Sequence, residues 1–289
     1  MKFCIIANPE KYTIQEPLKQ VVQWCEKHNK QLLVAEELYR HYSDQIDGRV
    51  LIVEKTEQEA IGSADVVIAL GGDGTMLYAA HLVKGTDTPM LGINSGKLGF
   101  MANVQPKQIE RALTGILKND YTIDKRYMLQ ARSSDGNSHF ALNEFLFSKK
   151  DTSSMIRLEA EYDGQYLNHY WADGLIISSP TGSTAYNLSA GGPIIMPGTE
   201  VMVLTPINPH TLTTRPMVLP SNKSLKIKAS DTEGHILFSN DGRMIPYHQK
   251  LDIDIRQSDF TISLIQFPEY TYFETLRNKL MWGLDKRKV

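Results

Sequence analysis

At 289 residues, with 31 Lys and Arg against 33 Asp and Glu and a net charge of -2, the chain has no general attraction for nucleic acid or anionic membranes. Its 42% hydrophobic and 22% charged residues are those of an ordinary soluble globular protein, with no apolar run long enough to span a bilayer. The length exceeds what one core comfortably organises, so two domains are expected. No basic-then-apolar leader opens the sequence, and a cytoplasmic protein is expected. Cys4 and Cys25 form neither a disulfide framework nor a metal spacing and read as buried reduced thiols.

Lys2–Ala7 has the composition of a strand, stopped by Asn8-Pro9. Leu18, Val21, Val22 and Cys25 then fall on one face of a helix. Gln31–Ala35 is the next strand; residues 36–64 are harder to read, with 50–53 a further candidate strand. Residues 65–70 form a short apolar run that enters Gly71-Gly72-Asp73-Gly74, and a helical pattern over 75–83 follows. A strand over 89–94 and an amphipathic helix over 108–117 close this half. Alternating strands and helices imply a parallel sheet flanked by helices, a Rossmann-like α/β domain over 1–122.

Beyond Asp120 short strands dominate, over 127–132, 139–147, 155–162, 165–171, 174–178, 201–205, 223–229, 235–238 and 250–255. Turn signals such as Asp163-Gly164 and Asp241-Gly242 punctuate them, and an all-β domain over 123–265 is expected. Residues 267–283 return to a helical pattern. Phe273, Leu276 and Leu280 share a face there, so the segment 266–289 is expected to pack back on the first domain. The tail Lys286-Arg287-Lys288 reads as solvated.

Three stretches carry chemistry. In Gly71-Gly72-Asp73-Gly74 the glycines let an anion approach backbone N–H groups, with a helix N-terminus behind them. A carboxylate there would repel phosphate unless Asp73 handles a hydroxyl proton or holds a metal between itself and the phosphates. The plainer alternative is a tight turn with an Asp cap. The second stretch is 174–192, an apolar strand meeting a Gly/Ser/Thr turn with Thr181, Ser183 and Thr184, then Tyr186 and Ser189; it could also be only a capped connection. The third is Asn143-Glu144, two polar groups interrupting an apolar strand, where burial without partners costs about 1–3 kcal/mol each. Adjacent strand residues face opposite sides, so the strand must end or bulge there, or one contact must come from backbone; an exposed edge is the alternative. Asp173 is a further candidate acid or a turn residue. Gly96-Lys97-Leu98 lacks the Ser or Thr of a Walker loop, and Leu77 stands where the dinucleotide fingerprint needs its last glycine. No histidine spacing suggests zinc, and His210 reads as structural.

Taken together, GGDGT at 71–75, Asn143-Glu144, Asp173-Gly174 and Thr181-Gly-Ser-Thr-Ala-Tyr186 leading to Ser189-Ala-Gly-Gly192 resemble the NAD kinase family. Gly92 to Phe100, Pro209-His210 with Arg215-Pro216, and the ending from Leu276 to Gly283 are similar too, so the likeness runs nearly the length of the chain. GGDGT alone is shared with diacylglycerol kinases and phosphofructokinases. The resemblance implies phosphoryl transfer from ATP, or another phosphoryl donor, to the 2′-hydroxyl of the adenosine ribose of NAD, giving NADP. It implies Asp73 as proton acceptor and Gly74 as phosphate cradle, with Mg²⁺ offsetting charge. It assigns Asn143, Glu144, Asp173 and the run Thr184, Ala185, Tyr186, Asn187, Leu188 and Ser189 to the dinucleotide. It also implies an α/β domain followed by a β-sandwich, in a homodimer or homotetramer with sites between subunits. Many relatives carry other residues at the positions of Tyr78, Ser154, Trp171 and Arg243. The competing readings are a lipid kinase with the same turn and a non-catalytic dinucleotide sensor.

Overall fold

The computed structural model describes the chain except residues 45, 47, 97–98, 151–153, 231–234, 248–249 and 282–289, so Lys97, Leu98, Gly283 and the basic tail lie outside the described residues. Two compact units are present: Met1–Lys125 together with the chain from Ile262 on, and Arg126–Thr261.

In the first unit β1 (Lys2–Ala7), β2 (Gln31–Ala35), β3 (Leu51–Glu54), β4 (Val66–Gly71) and β5 (Met90–Asn94) pair in parallel. Their order is β3-β2-β1-β4-β5, that of the dinucleotide-binding doubly wound sheet. The end of the chain's final strand extends it, Leu264 lying parallel to Met90. All six residues of β4 are buried, as a strand covered on both faces requires. Helix α1 (Gln15–Lys27) buries Leu18, Val21, Val22 and Cys25, the stripe its spacing predicts. Both thiols are buried, and burial pushes Cys4 and Cys25 up to about 12, which leaves them unreactive.

The stretch that is opaque in sequence folds as α2 (Glu36–Tyr42), β3 and α3 (Glu57–Gly62). A capping box starts α3: Glu59 N donates to Thr56 Oγ1 at 3.2 Å and Thr56 N to Glu59 Oε2 at 3.3 Å. Helices α4 (Asp73–Val83) and α5 (Ile109–Leu117) follow. The C-terminal helix, Tyr272–Leu280, belongs to this unit. Its expected contact face needs correction. Leu276 is buried, but Phe273 is 49% and Leu280 37% exposed, while Thr275 is buried. With about 100° between successive residues, a face centred between 275 and 276 turns positions 273 and 280 toward its edge.

The second unit is a β-sandwich. Its strands are β6 (Thr122–Ser133), β7 (Ser138–Ala141), β8 (Glu144–Lys149), β9 (Ile156–Tyr162), β10 (Gln165–Ala172), β11 (Gly174–Ser178), β12 (Val201–Ile207), β13 (Met217–Pro220), β14 (Leu225–Ser230), β15 (Ile236–Asn240), β16 (Arg243–Ile245) and β17 (Lys250–Gln266). One layer follows β10-β9-β14-β17-β6-β7, the other β13-β12-β11-β8-β15-β16. Alternate side chains from both layers meet in one core, including Leu129, Phe147, Ile177, Ile227, Phe238 and Ile253. Phe238 stacks on Phe147 at 4.7 Å and on Phe145 at 5.7 Å between ring centres. Asp163-Gly164 and Asp241-Gly242, all with positive φ, make the two-residue hairpin turns their sequence suggests. The single strand expected over 139–147 is in fact two, broken at Leu142-Asn143. No described helix is long and apolar enough to cross a membrane.

Candidate active site

In the first unit the chain leaves β4 at Gly71 and enters α4 at Asp73. A Cβ on Gly71 would lie 2.2 Å from Thr75 Oγ1, so a side chain there would prevent so tight an entry. Asp73 does not cap its own helix. Its carboxylate instead reaches the turn after β5: Oδ2 accepts from Phe100 N at 2.8 Å, and Oδ1 from Met101 N at 2.9 Å and Ala102 N at 3.2 Å. Lys279 Nζ, from the C-terminal helix, donates to Oδ2 at 3.3 Å. A carboxylate offers about four lone-pair sites, and each has a donor. The glycine-rich exit of β5 thus serves Asp73: a Cβ on Gly99 would come 2.1 Å from Asp73 Oδ1.

A cleft of about 340 Å³ opens beside this turn, at the carboxyl ends of β1 and β4. Asn8 and Lys11 line it from the end of β1, Gly74, Thr75 and Tyr78 from α4, and Glu57 from α3. Tyr78 Oη donates to Glu57, whose carboxyl burial pushes up, against the opposing effect of that hydrogen bond. Tyr78 thus serves here as the partner of an acid.

In the second unit the strand break falls at the polar pair: Asn143 precedes β8 and Glu144 begins it. Asp241, from the hairpin turn, holds this point. Its Oδ2 accepts from Leu142 N at 2.8 Å, and Oδ1 from Asn143 N at 2.8 Å and Glu144 N at 3.2 Å. Ser179 N donates to Asn143 O at 2.8 Å, and a Cβ on Gly182 would lie 2.2 Å from the same oxygen. The Thr181–Thr184 turn therefore rests directly on Asn143. Glu144 Oε2 is buried without a hydrogen-bond partner. Burial foremost, then the Asp241 carboxylate, pushes the Glu144 carboxyl up to about 8.

Thr184, Ala185 and Leu188 are half-buried beside this point, and Tyr186 and Ser189 are exposed. Asn187 is buried; its Nδ2 donates to Ser183 O at 3.2 Å and Pro193 O at 3.1 Å, and its Oδ1 accepts from Thr205 Oγ1 at 2.6 Å. Its side chain holds the turn from within. Asp173 lies elsewhere. Ser178 pairs with Glu144 and Gly174 with Ser148, so Asp173 is just beyond the opposite end of the β8–β11 pair, about 17 Å away along the strands. Lys149 at 2.7 Å, then Asn208 at 3.1 Å, hold its carboxyl below the usual range. The His210 ring, itself exposed, stacks on Trp171 at 4.0 Å between centres. Sequence reasoning reads Asp241 only as a turn residue and passes over Lys279 and the amides of 100–102. The first two come from distant segments, and backbone amides carry no side-chain signature.

A cleft at the switch point of a doubly wound sheet, fed by a glycine turn and a helix N-terminus, defines a nucleotide-binding protein of the α/β class. Known proteins narrow the class. The model of the ATP-NAD kinase N-terminal domain matches residues 3–121, and that of the ATP-NAD kinase C-terminal domain matches residues 142–267. The chain is 37% identical to the NAD kinase of Flavobacterium johnsoniae over 293 residues, covering 99% of this chain and 100% of that one. It is 47% identical to the NAD kinase of Flavobacterium psychrophilum over 230 residues, 78% of each. In fold it is similar to yeast NADH kinase complexed with NADH, with a TM-score of 0.90 and 23% identity over 100% of this chain and 90% of that one. The chain belongs to the NAD kinase family, and it is an enzyme.

Proposed function

We propose that Asp73 is the proton acceptor as this enzyme phosphorylates NAD with ATP at the 2′-hydroxyl of the adenosine ribose. The hydroxyl proton passes to Asp73 Oδ2 and the freed oxygen forms its bond to the γ-phosphorus. The β–γ bridging oxygen leaves with ADP, and NADP is the product. The observation that carries this reading is the three-amide clamp on Asp73. Phosphoryl transfer needs in-line positioning more than covalent help, and a carboxylate fixed by main chain is a positioned base.

Gly74 and the turn around it take phosphate, and the dinucleotide is held in the domain 123–265. There Glu144 and Asn143 meet its hydroxyls and ring nitrogens, with Thr184, Ala185, Tyr186, Leu188 and Ser189 around them and Asn187 keeping the turn in shape. A Glu144 carboxyl titrating near pH 8 is largely protonated at neutrality and so can donate as well as accept. Asp173, remote from Glu144, serves a dinucleotide held by a second copy of the chain in a homodimer or homotetramer, and the enzyme works in the cytoplasm. Mg²⁺ accompanies the donor phosphates and offsets their charge. The residues present do not build a cage for it: among the described residues no three metal-binding side chains converge. Phosphate oxygens and water are its ligands in this reading.

The test is the purified chain with NAD, ATP and Mg²⁺, assayed for NADP. Asp73→Asn should fold and bind NAD yet lose about two or more orders of magnitude in turnover. Full activity in that variant would refute the proton-acceptor role. Product from diacylglycerol rather than NAD would refute the substrate.

A further inference from the structure

The C-terminal helix brings a cation to Asp73. Lys279, in its last turn, has Nζ 3.3 Å from Asp73 Oδ2 and 4.6 Å from the centre of the Phe100 ring. Both side chains of the ion pair are 29% exposed, so water screens the attraction only in part. The other three donors to Asp73 are amides of one turn and cannot leave without unmaking it. Lys279 stands on a flexible four-carbon stem, and its contact is the longest of the four. The Oδ2 lone pair beneath Lys279 is therefore the exchangeable one, and a hydroxyl proton needs such a lone pair.

We propose that Lys279 is a positioning residue for phosphoryl transfer, which yields Oδ2 to the acceptor hydroxyl and carries its charge to the transferring phosphoryl group. The inference rests on Asp73 being the proton acceptor. As the hydroxyl O–H bond breaks, its proton neutralises Asp73 Oδ2 and the ion pair loses its negative partner. At the same time negative charge gathers on the phosphoryl oxygens while the new O–P bond forms and the β–γ bond breaks. Lys279 neither gains nor loses a proton; only its counter-ion changes. The face of Phe100 holds the ammonium through the exchange, an aromatic ring being a soft partner for a cation.

The test uses the full chain with ATP, NAD and Mg²⁺. Lys279→Ala should lower kcat about tenfold or more, since a charge aimed at the transition state is removed, with the KM for NAD changed less than about threefold. Methylammonium should restore most of the loss, which a merely structural role would not allow. Arg277→Ala, on the same helix, should keep wild-type kcat. In the Asp73→Asn background, adding Lys279→Ala should cost less than about twofold more, because the two side chains act as a unit. If the alanine variant is unstable, Lys279→Met keeps the stem and should show the same loss. Wild-type kcat in either variant, a loss that methylammonium leaves untouched in Lys279→Ala, or additive losses in the double variant would each overturn the inference while leaving Asp73 its role. Full activity in Asp73→Asn would remove the reading beneath both.

Discussion

Asp73 and Asp241 are held alike, each taking three consecutive main-chain N–H groups, 100–102 and 142–144, with one on Oδ2 and two on Oδ1. What faces them differs. Asp73 meets the cation of Lys279, whereas Asp241 lies close to Glu144 and helps keep that carboxyl protonated. Glu144 therefore couples stability to pH with a sign opposite to that of most carboxyl groups. Its folded value, about 8, lies above the ordinary 4.5, so its contribution is complete below the ordinary value and is lost as pH rises through about 8. Thermal melts from pH 5 to 9 should show a steeper fall in Tm for the wild type than for Glu144→Gln, and parallel curves would contradict this. The polar pair 143–144 is legible in sequence because it interrupts an apolar run. Its holder, Asp241, is not, because that contact spans about a hundred residues and leaves no periodic trace.

Among the elements, β1, β4, α1 and α5 are legible because burial leaves a continuous or helical apolar pattern. Strands β13 and β16 escape notice because they are short and largely outward-facing, with Met217, Val218 and Met244 exposed. The region 36–64 is opaque for a different reason: three short elements follow one another, and the sign that separates them is the Thr56/Glu59 box rather than a hydrophobic period. Thr56→Ala should cost about 1 kcal/mol by removing a cap, read as a lower denaturant midpoint at unchanged m-value. A change below about 0.3 kcal/mol would mean that packing of Ala60 and Ile61, not the cap, fixes where α3 begins.

At the scale of the whole molecule, alternating strands and helices followed by short strands lead correctly to an α/β domain and an all-β domain. The strand order of each sheet is not legible, since it depends on which distant strands find each other. The sandwich core converges on Phe238, fully surrounded by Phe145, Phe147 and their neighbours. Phe238→Ala should cost about 3–5 kcal/mol in equilibrium unfolding, and a loss under 1 kcal/mol would show that the rings are not tightly packed. The clamp on Asp73 bears on how such a chain tolerates drift. Because peptide groups grip the carboxylate, the side chains at 100–102 can be exchanged over generations without loosening that grip. The mutational burden falls on Gly99, where the first methyl group to arrive would strike the carboxylate itself.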